Sequence, residues 1–263
     1  MSDKLLDEAH IRRLPAVRLA ASECVMGTFV SNLRYRASSL PTLLTLLALP
    51  AALGLLVGCG SSSSPNLTPA NVLFINASPD APPLTLLIDQ QQSASGVAYP
   101  NAAEPYVQLA PGTHQFTAAV TSSNAQIFNV SLTLSPADFY SLFATDSAVD
   151  IQPLLTLDNF GSVSASQAGV RFAHLSPNTA PVDVAIANGG AVIGQSVAFQ
   201  QAVSYFGVAP GTYSFVVVPA GGDVPLASLN NLTIVAGSYY TLWLGGYTSN
   251  ATYPLAIHVI SHP

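Results

Sequence analysis

From about residue 70 to its end the chain alternates short apolar segments with clusters of Gly, Pro, Asn and Asp. Stretches such as 212–218 (TYSFVVV) and 231–235 (NLTIV) are rich in β-branched and aromatic residues and too short for helices, which is the signature of strands. Pro79-Asp80-Ala81-Pro82 and Ala110-Pro111-Gly112-Thr113 carry turn chemistry, Pro fixing φ and Gly accepting a positive one. No window after Cys59 offers an uninterrupted helical period of ordinary length. About seven or eight strands per unit, with turns roughly every ten residues, predict an all-β chain of antiparallel sandwich or barrel domains. The sandwich, Ig-like or barrel-like, is the preferred form.

The pattern occurs twice. Residues 71–84 (NVLFINASPDAPPL) align without a gap on residues 169–182 (GVRFAHLSPNTAPV), and 109–114 (LAPGTH) on 208–213 (VAPGTY). Farther on, 139–143 (FYSLF) answers 239–243 (YYTLW). An offset near 99 residues exceeds the 20 to 50 of solenoid repeats, so whole domains are expected in tandem. The predicted organisation is a leader over 1–58, a tether over 59–70, a first β-domain over 71–157, a Ser/Gly/Asn-rich linker over 158–168 and a second β-domain over 169–263.

A different pattern precedes the repeats. An apolar run beginning near Leu40 ends in Leu56-Val57-Gly58-Cys59 and is followed by Gly60 and four serines. Its clean part, 46–57, has the length of a signal-peptide core, whereas a membrane span needs roughly 20 apolar residues. Arg34 and Arg36 supply the basic region before it, while acidic Asp3, Asp7, Glu8 and Glu23 fit a leader poorly and make Met26 an alternative start. The segment resembles the lipobox of bacterial lipoproteins. That resemblance implies acylation of Cys59 as the mature N-terminus, a lipid anchor in the membrane, and, in an organism with two membranes, an outer-membrane address because Gly60 and not Asp follows the Cys.

Cleavage there changes the charge balance. Only Arg171 remains of the seven basic residues, against nine carboxylates, a formal charge of −8. A chain with one cation cannot neutralise a run of phosphates, which excludes nucleic acid as a partner. Cys24 is lost and Cys59 is committed to lipid, so no thiol is left for a disulfide or a thiolate metal site. No cofactor is implied. So few ionisable groups also predict a melting temperature that depends weakly on pH between acid and neutral.

Residues 170–177 (VRFAHLSP), 180–184 (APVDV) and 208–213 (VAPGTY), taken in that order, resemble the bacterial domain-of-unknown-function family 4397. The resemblance implies tandem units in exported, lipid-anchored proteins and transfers no activity. The second repeat is nearer the family pattern: the first has Asn76 in place of His174 and Thr85 in place of Asp183.

His174 and Asp183 are the sharpest chemical constellation. They flank one turn, and a carboxylate can orient an imidazole for acid or base work; as a structural pair they would instead bond the backbone of the Pro-rich turn, which is the preferred reading. Residues 194–198 (GQSVA) only approximate a nucleophile elbow, with Ala198 where Gly is wanted. His258 and His262 lie in what reads as a terminal strand, about 13 Å apart, too far for joint chelation. Asp146 and Asp150 could meet in a loop, but no further oxygen ligands for calcium can be named. The matched aromatics Tyr106 and Tyr205, Tyr99 and Phe199, and Phe143 and Trp243 are expected to report a shared core. Tyr247 and Tyr253 have no counterparts and are the better candidates for surface binding of a ligand.

These observations favour a non-enzymatic, lipid-anchored module of the cell envelope that binds a surface polysaccharide or an envelope protein. The alternatives are a cryptic hydrolase with a site near the inter-domain cleft and a purely structural spacer.

Overall fold

The computed structural model describes residues 67–262. The leader, Cys59 and the start of the tether lie outside them. Among the described residues no helix is long and apolar enough to cross a membrane.

The first repeat contributes β1 (Ala70–Asn76), β2 (Leu84–Ile88), β3 (Gln91–Val97), β4 (Val107–Leu109), β5 (Gly112–Val120), β6 (Gln126–Leu134), β7 (Phe139–Thr145) and β8 (Gln152–Leu157). The second contributes β9 (Ala168–His174), β10 (Val182–Ile186), β11 (Val192–Val197), β12 (Gln201–Ala202), β13 (Phe206–Val208), β14 (Gly211–Pro219), β15 (Ala227–Ile234), β16 (Tyr239–Gly245) and β17 (Ala256–His262). They form four open sheets, ordered β4-β1-β7-β8 and β3-β2-β5-β6 in the first repeat, and β12-β9-β16-β17, with β13 also on β9, and β11-β10-β14-β15 in the second. The fold is therefore all-β, with no closed barrel. It differs from a wholly antiparallel sandwich at one pair per repeat, since β1 runs parallel to β7 and β9 parallel to β16.

Burial explains the exception. Every residue of β1, β9 and β16 is buried, as parallel strands covered on both faces require. On β1, Val72 and Phe74 point into the core of the first sandwich with Leu84, Leu86 and Phe116. On β9, Val170 and Phe172 do the same in the second with Val184, Phe215 and Leu242. The alternate residues face the other way: Leu73, Ile75 and Phe143 meet Ala173, Trp243 and Ile260 in a third core between the repeats. The inner sheets thus pack face to face, and the described residues, 67–262, belong to one compact body. The outer sheets show the half-buried alternation of β5, β6, β14 and β15. Gly112, at φ 133°, opens β5 from the turn read in the sequence.

The 158–168 segment is docked into this body. Asp158 is buried, and Phe160 packs against Phe139 of one repeat and Tyr239 of the other, ring centroids 5.0 Å away in each case.

Candidate functional site

Polar groups buried between the inner sheets form a closed circuit. Arg171, on β9, donates from Nη2 to the Asp158 carboxylate, from Nε to Thr241 Oγ1 at 2.8 Å, and from its Nη atoms to Leu157 O at 2.9 Å and Thr156 Oγ1 at 3.2 Å. Its guanidinium carbon lies 4.8 Å from the centre of the Tyr205 ring. Asp158 accepts on Oδ2 from Tyr106 at 2.7 Å and from Ser141 at 2.8 Å. His262 closes the ring, with Nδ1 2.7 Å from Tyr106 Oη and Nε2 2.7 Å from Thr241 Oγ1.

The partners assign the imidazole proton. The one phenolic hydrogen of Tyr106 goes to Asp158, so its oxygen accepts from His262, and Nδ1 carries the hydrogen. Nε2 then accepts from Thr241, whose oxygen accepts from Arg171. Burial pulls His262 down to about 4, against the pull of Asp158 upward and with Arg171 adding to the depression. Burial, and then the Asp158 charge, push Tyr106 well above the usual phenol range. A neutral imidazole between a fixed donor and a fixed acceptor holds structure; it has no free nitrogen for a substrate.

His174 and Asp183 are not brought together. His174, on β9, is fully buried; its Nδ1 accepts from Ser176 N, and Nε2 lies 3.2 Å from both Thr179 O and Ala180 O. Asp183, on β10 in the other sheet, accepts from Ser196 N at 2.7 Å and Gly221 N at 2.9 Å, bonds that hold its carboxyl below the usual range. Their replacements in the first repeat do the same work. Asn76 accepts from Ser78 N, and Thr85 bonds Thr121 Oγ1, which in turn accepts from Gly96 N. His174 thus bonds the backbone of the Pro-rich turn, whereas Asp183 bonds backbone N–H groups outside it, at Ser196 and Gly221. Ser196, at φ 48°, sits in a strand whose pairing with β10 shifts register, and no helix follows it.

Residues 70–185 and 176–261 both match the family model described as Domain of unknown function (DUF4397). The chain belongs to the DUF4397 family. No curated protein matches this DUF4397 chain. Among solved structures it is similar to a carbohydrate-binding module of family CBM26 from Eubacterium rectale, in complex with maltoheptaose, at 8% identity and TM-score 0.24, over 74% of this chain and 96% of that one. It is also similar to a proposed cell adhesion protein from Bacteroides fragilis NCTC 9343, at 10% identity and TM-score 0.20, over 75% and 98%.

The two unmatched tyrosines of the DUF4397 chain are both engaged across the repeats. Tyr247 donates to Asp80 Oδ1 at 2.7 Å, and burial together with that carboxylate raises its hydroxyl above the usual range. Tyr253 sets its ring edge-on to Tyr99, centroids 6.4 Å apart. Of the matched aromatics, Phe143 and Trp243 are fully buried in the third core, between the repeats, and Tyr99 and Tyr106, partly buried, pack against it. Asp146 accepts from its neighbour Ser147 N at 2.7 Å, and among the described residues no group of three or more His, Cys, Asp or Glu is arranged to hold a metal.

Two side chains of the last strand weigh against the weak pH dependence expected from the small number of charges. His258 and His262 stand on β17, as the strand reading requires, and burial holds each near pH 4. Burial also lowers His174. Neutral at pH 7, these histidines add nothing to the formal charge there and take up protons only on the acid side.

Open clefts flank the interface. One, of about 800 Å³, runs from Ser93 and Ser95 on β3 to Val259 and Ile260 on β17; another, of about 440 Å³, lies between Leu155 on β8 and Tyr205. Glu104 is the only ionisable side chain with a carboxylate in the larger one.

Proposed function

We propose that this chain is a non-enzymatic binding module, lipid-anchored at Cys59 in the cell envelope, and that it engages a neutral surface polysaccharide through its outer sheets. The supporting observation is the outward face of β5 and β6. There Thr113 stands opposite Thr133, Gln115 opposite Ser131 and Thr117 opposite Asn129, six neutral hydrogen-bonding side chains in two facing rows. The Thr113 and Thr133 hydroxyls are 2.8 Å apart, and the second repeat places Thr212 and Thr233 in the same relation at 3.0 Å. Strand geometry spaces such side chains by about 7 Å along a strand and 4.7–4.9 Å across the sheet. A lattice of neutral hydroxyls and amides complements a polyol, and the exposed Asp89 carboxylate beside Gln115 disfavours a polyanion. The inter-repeat circuit supports the non-enzymatic part, because its ionisable groups are bonded to one another.

The test is retention of purified full-length protein on insoluble envelope polysaccharide. Retention that falls about tenfold in a Thr113→Val, Thr133→Val variant with an unchanged β-spectrum is expected. Equal retention of variant and parent, or turnover of a hydrolase substrate panel that is lost in His174→Ala, would overturn the proposal.

A further inference from the structure

The apolar inter-repeat interface is crossed by several polar ties, among them Tyr247 to Asp80, Gln200 to Thr145 and Arg171 to Thr156, and β17 adds two that contain an imidazole. His258 Nε2 is 2.9 Å from Tyr99 Oη, and His262 Nδ1 is 2.7 Å from Tyr106 Oη, so two imidazoles of the second repeat grip two phenols of the first. We propose that this interface is an acid-sensitive clamp: protonation of His258 and His262 releases the first repeat from the second while each sandwich stays folded.

The surroundings of each ring say why a proton is disruptive. His258 lies against Trp243, centroids 4.3 Å apart, and edge-on to Tyr99, with Tyr253 beyond; it has hydrogen-bond contact with no carboxylate. His258 is partly buried, so a charge there would lose part of its hydration with no counter-ion bonded to it, a cost that contact with the Trp243 ring offsets only in part. His262 faces Tyr106, Tyr205, Phe160 and Thr241, with Asp158 and Arg171 as the nearby charges. Asp158 and Arg171 are bonded to each other, so the carboxylate is already shared. A second N–H on His262 would point at Thr241 Oγ1, which already accepts from Arg171 and would lose its own acceptor. The oxygen can accept from both, but the Thr241 hydrogen would then have to turn toward Tyr205 Oη, 3.4 Å away, and a poorly bonded buried hydroxyl carries a cost that separation into water relieves.

Each sandwich keeps its own core when they part. The first is built on Val72, Phe74, Leu86 and Phe116, the second on Val170, Phe172, Val184 and Phe215, and none of these belongs to the shared core. The burden of exposure falls on Phe143 and Trp243 and their neighbours.

Trp243 is the only tryptophan of the chain and reports the event directly. Full-length protein is titrated from pH 7.5 to 4, following Trp243 emission, far-UV circular dichroism and the radius of gyration by small-angle scattering. The emission is expected to shift to the red and the radius to grow between about pH 6.5 and 4, reversibly, while the β-signal persists. Uptake of two protons makes the ratio of open to closed molecules rise by up to about 100-fold per pH unit. A His258→Gln, His262→Gln variant that keeps its β-spectrum at pH 7.5 is expected to lose this response; a full response in it overturns the assignment. The wild-type comparison stands without the variant. Emission and β-signal changing together in one transition, or both staying flat to pH 4, overturns the clamp.

Discussion

Asp158 and His262 hold equivalent positions in the two repeats and meet on a single hydroxyl, that of Tyr106. Tyr140 pairs with Leu157 and Tyr240 with Ser261, so the residue that follows is Asp158, just past β8, in one repeat and His262, the last of β17, in the other. Each bonds the hydroxyl at the matching place on its neighbour, Ser141 or Thr241. One copy of the position is a carboxylate and the other an imidazole.

Removing one partner of the buried ion pair is expected to be costly. Arg171→Met leaves Asp158 charged and buried, and loss of about 3–5 kcal/mol is predicted from urea unfolding. Adding Asp158→Asn to the same chain is expected to recover part of that loss, because the stranded charge goes with it.

Stability is expected to fall on acidification. His258 and His262 are lower in the folded chain, near 4, than the ordinary 6.5, so their contribution is complete above about pH 6.5 and is lost as pH falls toward 4. Each costs about 1.4 kcal/mol per pH unit in that window. Opposing this, Asp89 raises His114, which adds stability below 6.5, but that pair is partly exposed and screened. A calorimetric melting temperature lower by about 10 °C or more at pH 4.5 than at pH 7 is predicted.

The shared core should be as sensitive to truncation as either sandwich. Phe143→Ala and Trp243→Ala each remove a fully buried ring and are predicted to cost about 3–5 kcal/mol by denaturant titration.

Gly246→Ala tests the tie after β16. Gly246 has φ +84°, and an added Cβ would stand 2.1 Å from Pro254 O, so backbone must move. Gly221, at φ +72°, has open space around it. Gly246→Ala is therefore expected to lower the melting temperature clearly more than Gly221→Ala.

Strands and repeats were legible because burial writes itself into residue type. The continuous run 72–75 (VLFI) marks a strand covered on both faces, and 129–134 (NVSLTL) marks one covered on a single face. The circuit was less legible. Arg171, embedded in the fully buried strand 168–174, signals a hidden acid partner, since a buried Arg must be paired. Its partner Asp158 hides in a segment whose Ser, Gly and Asn content reads as linker, and pairing across 13 residues through the packing of two sheets leaves no local pattern. The parallel central pairs are likewise invisible, because direction depends on sheet order and not on period.

The union of the two repeats into one body through Tyr106 is tested most directly by equilibrium urea unfolding of the full-length protein at pH 7.5, followed by Trp243 emission and far-UV circular dichroism. One coincident transition is predicted, together with a loss of about 2–3 kcal/mol in Tyr106→Phe, which strips His262 Nδ1 of its acceptor and Asp158 of a donor. Two separate transitions in the parent, with Tyr106→Phe leaving both unchanged, would contradict it.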